Sequence, residues 1–420
     1  MESEEVELEE SAARPVGTGG RLLAVSVLIG VVALAGALAW GFCLGDGFRR
    51  FFHAYLLSFF FYLSLSLGAL FFVLLHHLTR AGWSVVVRRV AEFLAANLLL
   101  LAFLALPIVF PVVFGNAALY PWAGAENIRG DELLERKAIY LNPGFFALRC
   151  AFYFAVFGLL ARHYLKRSVA QDRSGDVEIS RRLDGLSGFA MAGYALTLTF
   201  AAFDLLMSLD PHWFSTIFGV YVFAGSAAGG YALLIVALLL LQRRGRLGRT
   251  VTVEHYHDLG KLLFAFVFFW GYIAFSQFLL IWYANLPEET GWYRIRMSGA
   301  WAGVSLALLF GHFVLPFVGL LSRSAKRSRL ILGFWAVWML AAHWLDCYWL
   351  VFPQYTSRGV FVPQLTPDAG PAIPWPGLEL LCLVGLGGLY VASAVSLARG
   401  CALVPVRDPR LAESLAFENR

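Results

Sequence analysis

The sequence predicts an all-α polytopic membrane protein with ten transmembrane helices, and two observations carry that prediction. Ten separate apolar stretches are each about as long as the roughly 20 residues that a helix needs to cross a bilayer. The composition agrees, because 59% of residues are hydrophobic, only 15% are charged and the mean hydropathy is +0.68. The predicted spans are residues 22–44, 52–75, 93–114, 145–161, 186–209, 213–241, 262–284, 299–321, 330–352 and 377–397.

The distribution of basic residues predicts the orientation. Of the 33 lysines and arginines, 24 fall in the two tails and the loops after even-numbered spans, and 9 fall on the other side. This asymmetry follows the positive-inside rule and places both termini in the cytoplasm. It also accounts for the net charge of +5, so no nucleic-acid partner is expected. The acidic run within residues 1–20 predicts a disordered cytoplasmic tail.

An internal repeat divides the ten spans. The motif GLLAR at 158–162, followed by KRS at 166–168, returns as GLLSR at 319–323 and KRS at 326–328. Asp204 precedes Pro211 by seven residues, as Asp346 precedes Pro353. We therefore predict two parallel four-helix bundles, bundle A (52–212) and bundle B (213–375), flanked by helices in 21–51 and 376–420. The alternative is that such short motifs recur by chance at the basic ends of membrane helices.

Polar residues inside the predicted spans are the candidate site, because burying charge in a bilayer costs several kcal/mol. Asp204 and Asp346 lie in the outer third of spans five and nine, and His343 shares a helix face with Asp346. We predict these three as proton acceptors for a quinol. Further candidates for a quinone or proton path are His312, Gln277, Tyr272, Asp258 and Lys261. For Asp258 and Lys261 the alternative is a solvated helix start.

Other polar and aromatic residues have structural interpretations. Asp210 and Pro211 suggest the N-cap and first turn of span six. Arg149 is expected to extend towards lipid head groups. The polar segment 166–187 is expected to be a long cytoplasmic loop that docks a partner. Aromatic residues near span ends predict interfacial belts, namely Trp122, Trp282, Tyr283, Trp292, Trp349 and Trp375.

Redox centres are not expected in this chain. The five cysteines are isolated and form no CxxC motif, which disfavours iron–sulfur and zinc sites. No CxxCH motif occurs, and no two histidines in one span have a spacing that stacks two haems. Pairing across helices, such as His312 with His343, stays open as an alternative.

Three segments, residues 203–226, 257–293 and 343–353, resemble a known family. They are similar to the second ten-helix, quinone-binding-type subunit of alternative complex III, within the polysulfide-reductase-like superfamily of membrane subunits. The resemblance covers spans two to nine and includes Asp204, His343 and Asp346.

The resemblance implies a subunit of a quinol:cytochrome c (or quinol:acceptor) oxidoreductase in a bacterial inner membrane. It implies as partners a sibling ten-helix subunit, an outer iron–sulfur subunit, multihaem and monohaem c-type cytochromes, and a terminal oxidase. Haem c and iron–sulfur clusters would belong to those partners, and quinone would bind non-covalently. The alternatives are a secondary transporter, which a parallel repeat also suits, and a purely structural scaffold of the same complex.

Overall fold

Ten long apolar helices form the chain in the computed structural model, which describes residues 19–248, 250–357 and 372–419. The predicted all-α polytopic fold is therefore confirmed. The predicted acidic tail lies almost entirely outside the described residues, as does most of the loop 353–376. The helices are α1 (Gly20–Cys43), α2 (Arg49–Leu78), α3 (Gly82–Val113), α4 (Pro143–Ser174), α5 (Val177–Leu209), α6 (Phe218–Arg243), α7 (Val253–Ala284), α8 (Ala300–Leu321), α9 (Arg329–Ser357) and α10 (Gly377–Ala398).

Helices α4 and α5 form a tight hairpin where the sequence predicted a long loop. Helix α4 continues to Ser174 and α5 begins at Val177, so helices occupy nearly all of residues 166–187. The turn between them contains Gly175, which has a positive φ of 66°. The side chain of Asp176 accepts a hydrogen bond from the backbone N–H of Glu178 and so caps α5. The predicted loop was wrong because its polarity belongs to exposed helix faces, which composition alone does not distinguish from a loop.

Helix α2 is the central element of the bundle. Its most apolar segment is 94% buried, whereas that of α1 is 22% buried and therefore faces the surroundings. It crosses α6 at Gly68 and Gly230, where a Cβ added to Gly68 would lie 2.0 Å from the backbone oxygen of Ser226. Small residues thus allow the two backbones to approach each other closely.

The helices pack in two similar rings, α2–α5 and α6–α9. In each ring the first helix contacts the second and the fourth, and the third contacts its two neighbours. Between the rings, α2 packs on α6, while α2 meets α9 and α5 meets α6. A twofold rotation that replaces α2–α5 by α6–α9 converts the α2–α9 contact into the α6–α5 contact. This pattern is expected for two copies of one unit. The evolutionary repeat itself stays a prediction.

The flanking helices α1 and α10 pack against each other and attach to the α2–α3 side of the molecule. A Cβ at Gly388 would lie 2.5 Å from the backbone oxygen of Ser26, so this contact also depends on glycine. At one end, Arg50 and Glu379 form a buried two-bond ion pair that holds α10 to α2.

Both described chain ends lie on one side of the bundle, here called the termini side, because Gly20 lies close to Arg399. The C-terminal segment 399–419 crosses this side and contacts both rings. Asp408 pairs with Arg88 at the start of α3, and Ser414 accepts a bond at its backbone oxygen from His255 of α7.

The opposite side, here called the far side, carries a surface helix, Pro287–Arg296. The predicted aromatic belts hold only in part here. Trp282, Tyr283 and Trp375 are exposed, but Trp122, Trp292 and Trp349 are buried. Trp292 stacks on Trp213 with ring centroids 4.3 Å apart and an interplanar angle of 10°. The fully buried guanidinium of Arg296 lies over the indole of Trp292. Part of the predicted belt is therefore an internal aromatic core.

Candidate functional site

The two acids predicted in corresponding helices have different surroundings. Asp204 of α5 is fully buried and accepts two hydrogen bonds from the guanidinium of Arg149, at 2.7 and 2.8 Å. Tyr153 donates a third bond of 2.6 Å to the same carboxylate. Arginine keeps its charge at any physiological pH. The carboxylate of Asp204 is therefore matched by a permanent cation from α4.

The expectation that Arg149 extends towards lipid head groups was wrong. Its side chain turns inward, and the guanidinium also donates to the backbone oxygen of Tyr140 at 2.7 Å. The guanidinium carbon lies 3.8 Å from the Tyr140 ring centroid. A buried carboxylate within reach outweighs solvation at the bilayer surface because a two-bond ion pair satisfies both charges.

Asp346 of α9 is equally buried but has only neutral donors in the described residues. Its Oδ1 accepts a hydrogen bond from the hydroxyl of Tyr221 on α6. Its Oδ2 accepts one from the indole N–H of Trp270 on α7, at 3.2 Å. No lysine or arginine forms an ion pair with it in the part of the chain that the structure describes. Among the described residues, Asp346 thus lacks the cationic partner that Arg149 provides to Asp204.

Histidine 343 lies one turn from Asp346 and links the two rings. Its Nε2 lies 2.7 Å from the hydroxyl oxygen of Ser64 on α2. That hydroxyl already donates its only hydrogen to the backbone oxygen of Phe61. In a neutral ring, Nε2 must therefore carry the hydrogen that is donated to Ser64. The other nitrogen, Nδ1, is then an acceptor for which the described part of the chain offers no donor.

Histidine 312 of α8 completes the group, and neither of its ring nitrogens has a hydrogen-bond partner among the described residues. It is fully buried and lies against the ring of Trp270, with centroids 3.9 Å apart. A widened π-helical turn, Leu309–Val314, presents it to the core. Pro316 follows and has no N–H to bond the carbonyl of His312, which explains the widening there. Trp338 donates to the exposed carbonyl of Gly311 at 2.7 Å.

One ligand atom from each of His312, His343 and Asp346 lies within 4.8 Å of the others. Two glycines of α6 make room for this group. A Cβ at Gly229 would lie 2.8 Å from the His343 ring, and one at Gly225 would lie 3.5 Å from Oδ2 of Asp346. The result is a buried cluster of one carboxylate and two imidazoles with three unused nitrogen positions. We call these three residues the α8–α9 cluster.

A second polar layer lies nearer the far side. Gln277 of α7 donates to the hydroxyl of Tyr293 at 3.0 Å and accepts from Ser215 at 3.1 Å. Burial raises the pKa of Tyr293 to about 12, so its hydroxyl is protonated at neutral pH. Tyr293 also lines a groove of about 370 Å³ between the end of α7 and the surface helix. Gln277 therefore connects buried groups to this groove.

The remaining predicted site residues lie elsewhere. Tyr272 is 56% exposed on the outer surface of α7, away from the cluster. Asp258 and Lys261 pair at 2.5 Å on the termini side, where Asn419 also donates to Asp258. Twelve residues separate Asp258 from Trp270, about 18 Å of helix. Asp210 does not cap α6, which begins at Phe218; its side chain accepts from the N–H of His212 and from Gln354 instead.

Sequence reasoning missed the partners of the cluster, Tyr221, Trp270 and Ser64. Aromatic and serine residues are common in membrane helices, so none of them stands out alone. A usable signal was present in α6, where Gly225 and Gly229 form a GxxxG motif, a pattern that marks close helix contact. That motif faces His343 and Asp346.

Neither the scan against protein-family models nor the search of curated proteins finds a match to this chain.

Proposed function

We propose that this protein is an integral membrane subunit of a quinol:acceptor oxidoreductase and that the α8–α9 cluster accepts and releases protons. The observation that carries the proposal is the buried carboxylate of Asp346, which has neutral donors and two imidazoles around it but no permanent cation from the residues that the structure describes. A carboxylate with a purely structural role is expected to have a cationic partner, as Asp204 has in Arg149. Histidine changes charge near neutral pH and so suits proton transfer.

Quinol oxidation releases protons, and an acceptor must receive them. The groove beside Tyr293 offers a position for a quinol head group. Gln277, which bonds Tyr293, lies between this groove and Trp270, about 10 Å along α7 from Trp270. In this proposal the chain holds no covalent cofactor. The sibling ten-helix subunit, the iron–sulfur subunit and the c-type cytochromes of the resembling family would carry the electrons.

The proposed setting is a bacterial inner membrane with the termini side in the cytoplasm. The charge asymmetry supports this orientation. The groove would then lie at the outer surface, on the side where the cytochromes of such a complex receive electrons. The α8–α9 cluster would lie near the middle of the membrane, because His343 is equally far from both ends of α9.

The test is to replace Asp346 with Asn in the assembled complex. Loss of a general base lowers rates by about 10²–10⁴-fold, so we expect at least a 100-fold fall in quinol oxidation or the loss of charge movement in proteoliposomes. Haem and iron–sulfur content must match the wild type, which shows that assembly is intact. Thr199→Val is the control because its hydroxyl donates to the backbone oxygen of Ala195 within α5 and to no other described residue. Normal turnover with normal charge movement in the Asp346 variant would remove the cluster from the mechanism.

Two rival functions give different results. A secondary transporter would purify alone or as a homo-oligomer, without c-type haem absorbance in the same band. A metal centre is the second rival, because three ligand atoms within 4.8 Å suit one cation. Elemental analysis decides this point: a stoichiometric d-block metal in the wild type that is absent from the Asp346→Asn variant would contradict the proton assignment.

A further inference from the structure

One face of α4 carries four exposed basic side chains near the termini side. They are Arg162, His163, Lys166 and Arg167, and their spacing of one and four residues places them together on the helix surface. With Leu159 and Leu160 they line a groove of about 520 Å³. In the described part of the chain, none of these four forms a hydrogen bond or ion pair with a carboxylate.

Their lack of partners contrasts with four other cations on the same side. Arg88 pairs with Asp408, Arg327 pairs with Glu254, and Arg181 and Arg182 lie near Glu178. An unmatched group of cations attracts an anion from outside the chain. The described carboxylates thus leave this basic patch of α4 unneutralised.

Buried hydrogen bonds on the opposite face of α4 set the rotation of the helix about its axis, and so determine where its basic face lies. The hydroxyl of Tyr164 lies 2.9 Å from that of Ser187 on α5, and Ser168 receives bonds from Arg89 of α3. Gln171 exchanges bonds with Ser180. These buried contacts hold the helix in one rotation, so the basic side chains are turned away from the protein before any ligand arrives.

The depth of the patch matches the head-group layer. Nineteen residues separate Pro143 from Arg162, which is about 28 Å of helix, close to the hydrocarbon thickness of about 30 Å. On the same face and deeper in the membrane, Leu148, Phe152 and Leu159 are 65%, 60% and 68% exposed. An apolar strip therefore leads directly to the cations.

We propose that this groove binds an anionic phospholipid, with its phosphate among Arg162, Lys166 and Arg167 and an acyl chain along the apolar strip. Basic groups at the cytoplasmic bilayer surface attract anionic head groups. The apolar strip selects a lipid over a soluble phosphate ester, because only a lipid contacts both parts. This site uses no residue of the α8–α9 cluster, and it shares with the proposed function only the cytoplasmic placement of the termini side.

The test uses full-length protein that has been purified in detergent, depleted of lipid and titrated with dioctanoyl phosphatidylglycerol. We expect saturable binding that weakens at least tenfold in the triple variant Arg162→Gln, Lys166→Gln, Arg167→Gln. The matched control, Arg173→Gln, Arg181→Gln, Arg182→Gln, removes the same charge from the same hairpin and should change affinity by less than twofold. Thermal unfolding without lipid shows whether each variant is folded.

Four outcomes would overturn the proposal. Equal binding of phosphatidylglycerol by the folded triple variant and the wild type would remove the basic groups from the site. Equal binding of dioctanoyl phosphatidylcholine would show a general lipid surface. Glycerol phosphate binding as tightly as the lipid would show a soluble phosphate site. A map of the whole complex with another protein covering this face would assign it to a subunit contact.

Discussion

At the scale of single residues, the choice of partner separates a structural carboxylate from a candidate functional one. Asp204 has arginine and tyrosine donors, whereas Asp346 has tyrosine and tryptophan donors with two histidines nearby. Arginine fixes the charge of its partner, while histidine can gain or lose its own. The sequence predicted both acids as proton acceptors because each lies in the outer third of a predicted span, where a buried charge is costly. The difference between the two acids depends on their partners on other helices, and a single sequence does not show which helices lie next to each other.

The ion pair in bundle A gives a residue-scale prediction. Replacing Arg149 with Met leaves the buried carboxylate of Asp204 without its cation, which costs about 3–5 kcal/mol. We expect a clear fall in the thermal unfolding temperature, measured by fluorescence-detected size exclusion. The double variant Arg149→Met, Asp204→Asn removes both charges and should recover much of the loss. An unchanged unfolding temperature in the single variant would contradict a stabilising role of the pair.

At the scale of elements, glycine positions decide how closely the helices approach. The α2–α6 crossing depends on Gly68, and the contact of α1 with α10 depends on Gly388. The sequence predicted the existence of these helices well, because a run of apolar residues fixes a span. It predicted helix ends poorly at 166–187, since polar helices outside the bilayer lack the hydrophobic signal. It also missed the π-helical turn of α8. Pro316 indicates a local disruption of the helix, but the sequence alone does not show that the turn becomes wider and directs His312 into the core.

The crossing of α2 and α6 gives an element-scale prediction. In Gly68→Ala, the new Cβ would meet the backbone oxygen of Ser226 at 2.0 Å, and the backbone cannot move aside as a flexible side chain would. We expect marked destabilisation or poor folding yield. Gly193→Ala is the control, because no atom lies within 4 Å of a Cβ built there. Similar unfolding temperatures for the two variants would show that the crossing has room for a methyl group.

At the scale of the whole molecule, the C-terminal segment holds the two rings together on the termini side. Composition places this segment outside the membrane but does not reveal its contacts. It pairs Asp408 with Arg88 of the first ring, and its Phe417 ring lies beside Trp83 and His255. Asn419 reaches Asp258 at the start of α7. Asp258 and Lys261, predicted as a proton path, thus lie against this segment.

The segment therefore gives a prediction about the joint stability of the rings. Asp408→Asn weakens a buried ion pair and leaves Arg88 with only Glu92, so we expect a lower unfolding temperature and faster trypsin cleavage near the start of α3. Glu413→Gln is the matched control, since its pair with Arg410 is exposed and within the segment, and such pairs contribute at most about 1 kcal/mol. If the two variants lose stability equally, the segment rests on the bundle without stabilising it, and the contacts of α2 with α6, α2 with α9 and α5 with α6 join the rings without its help.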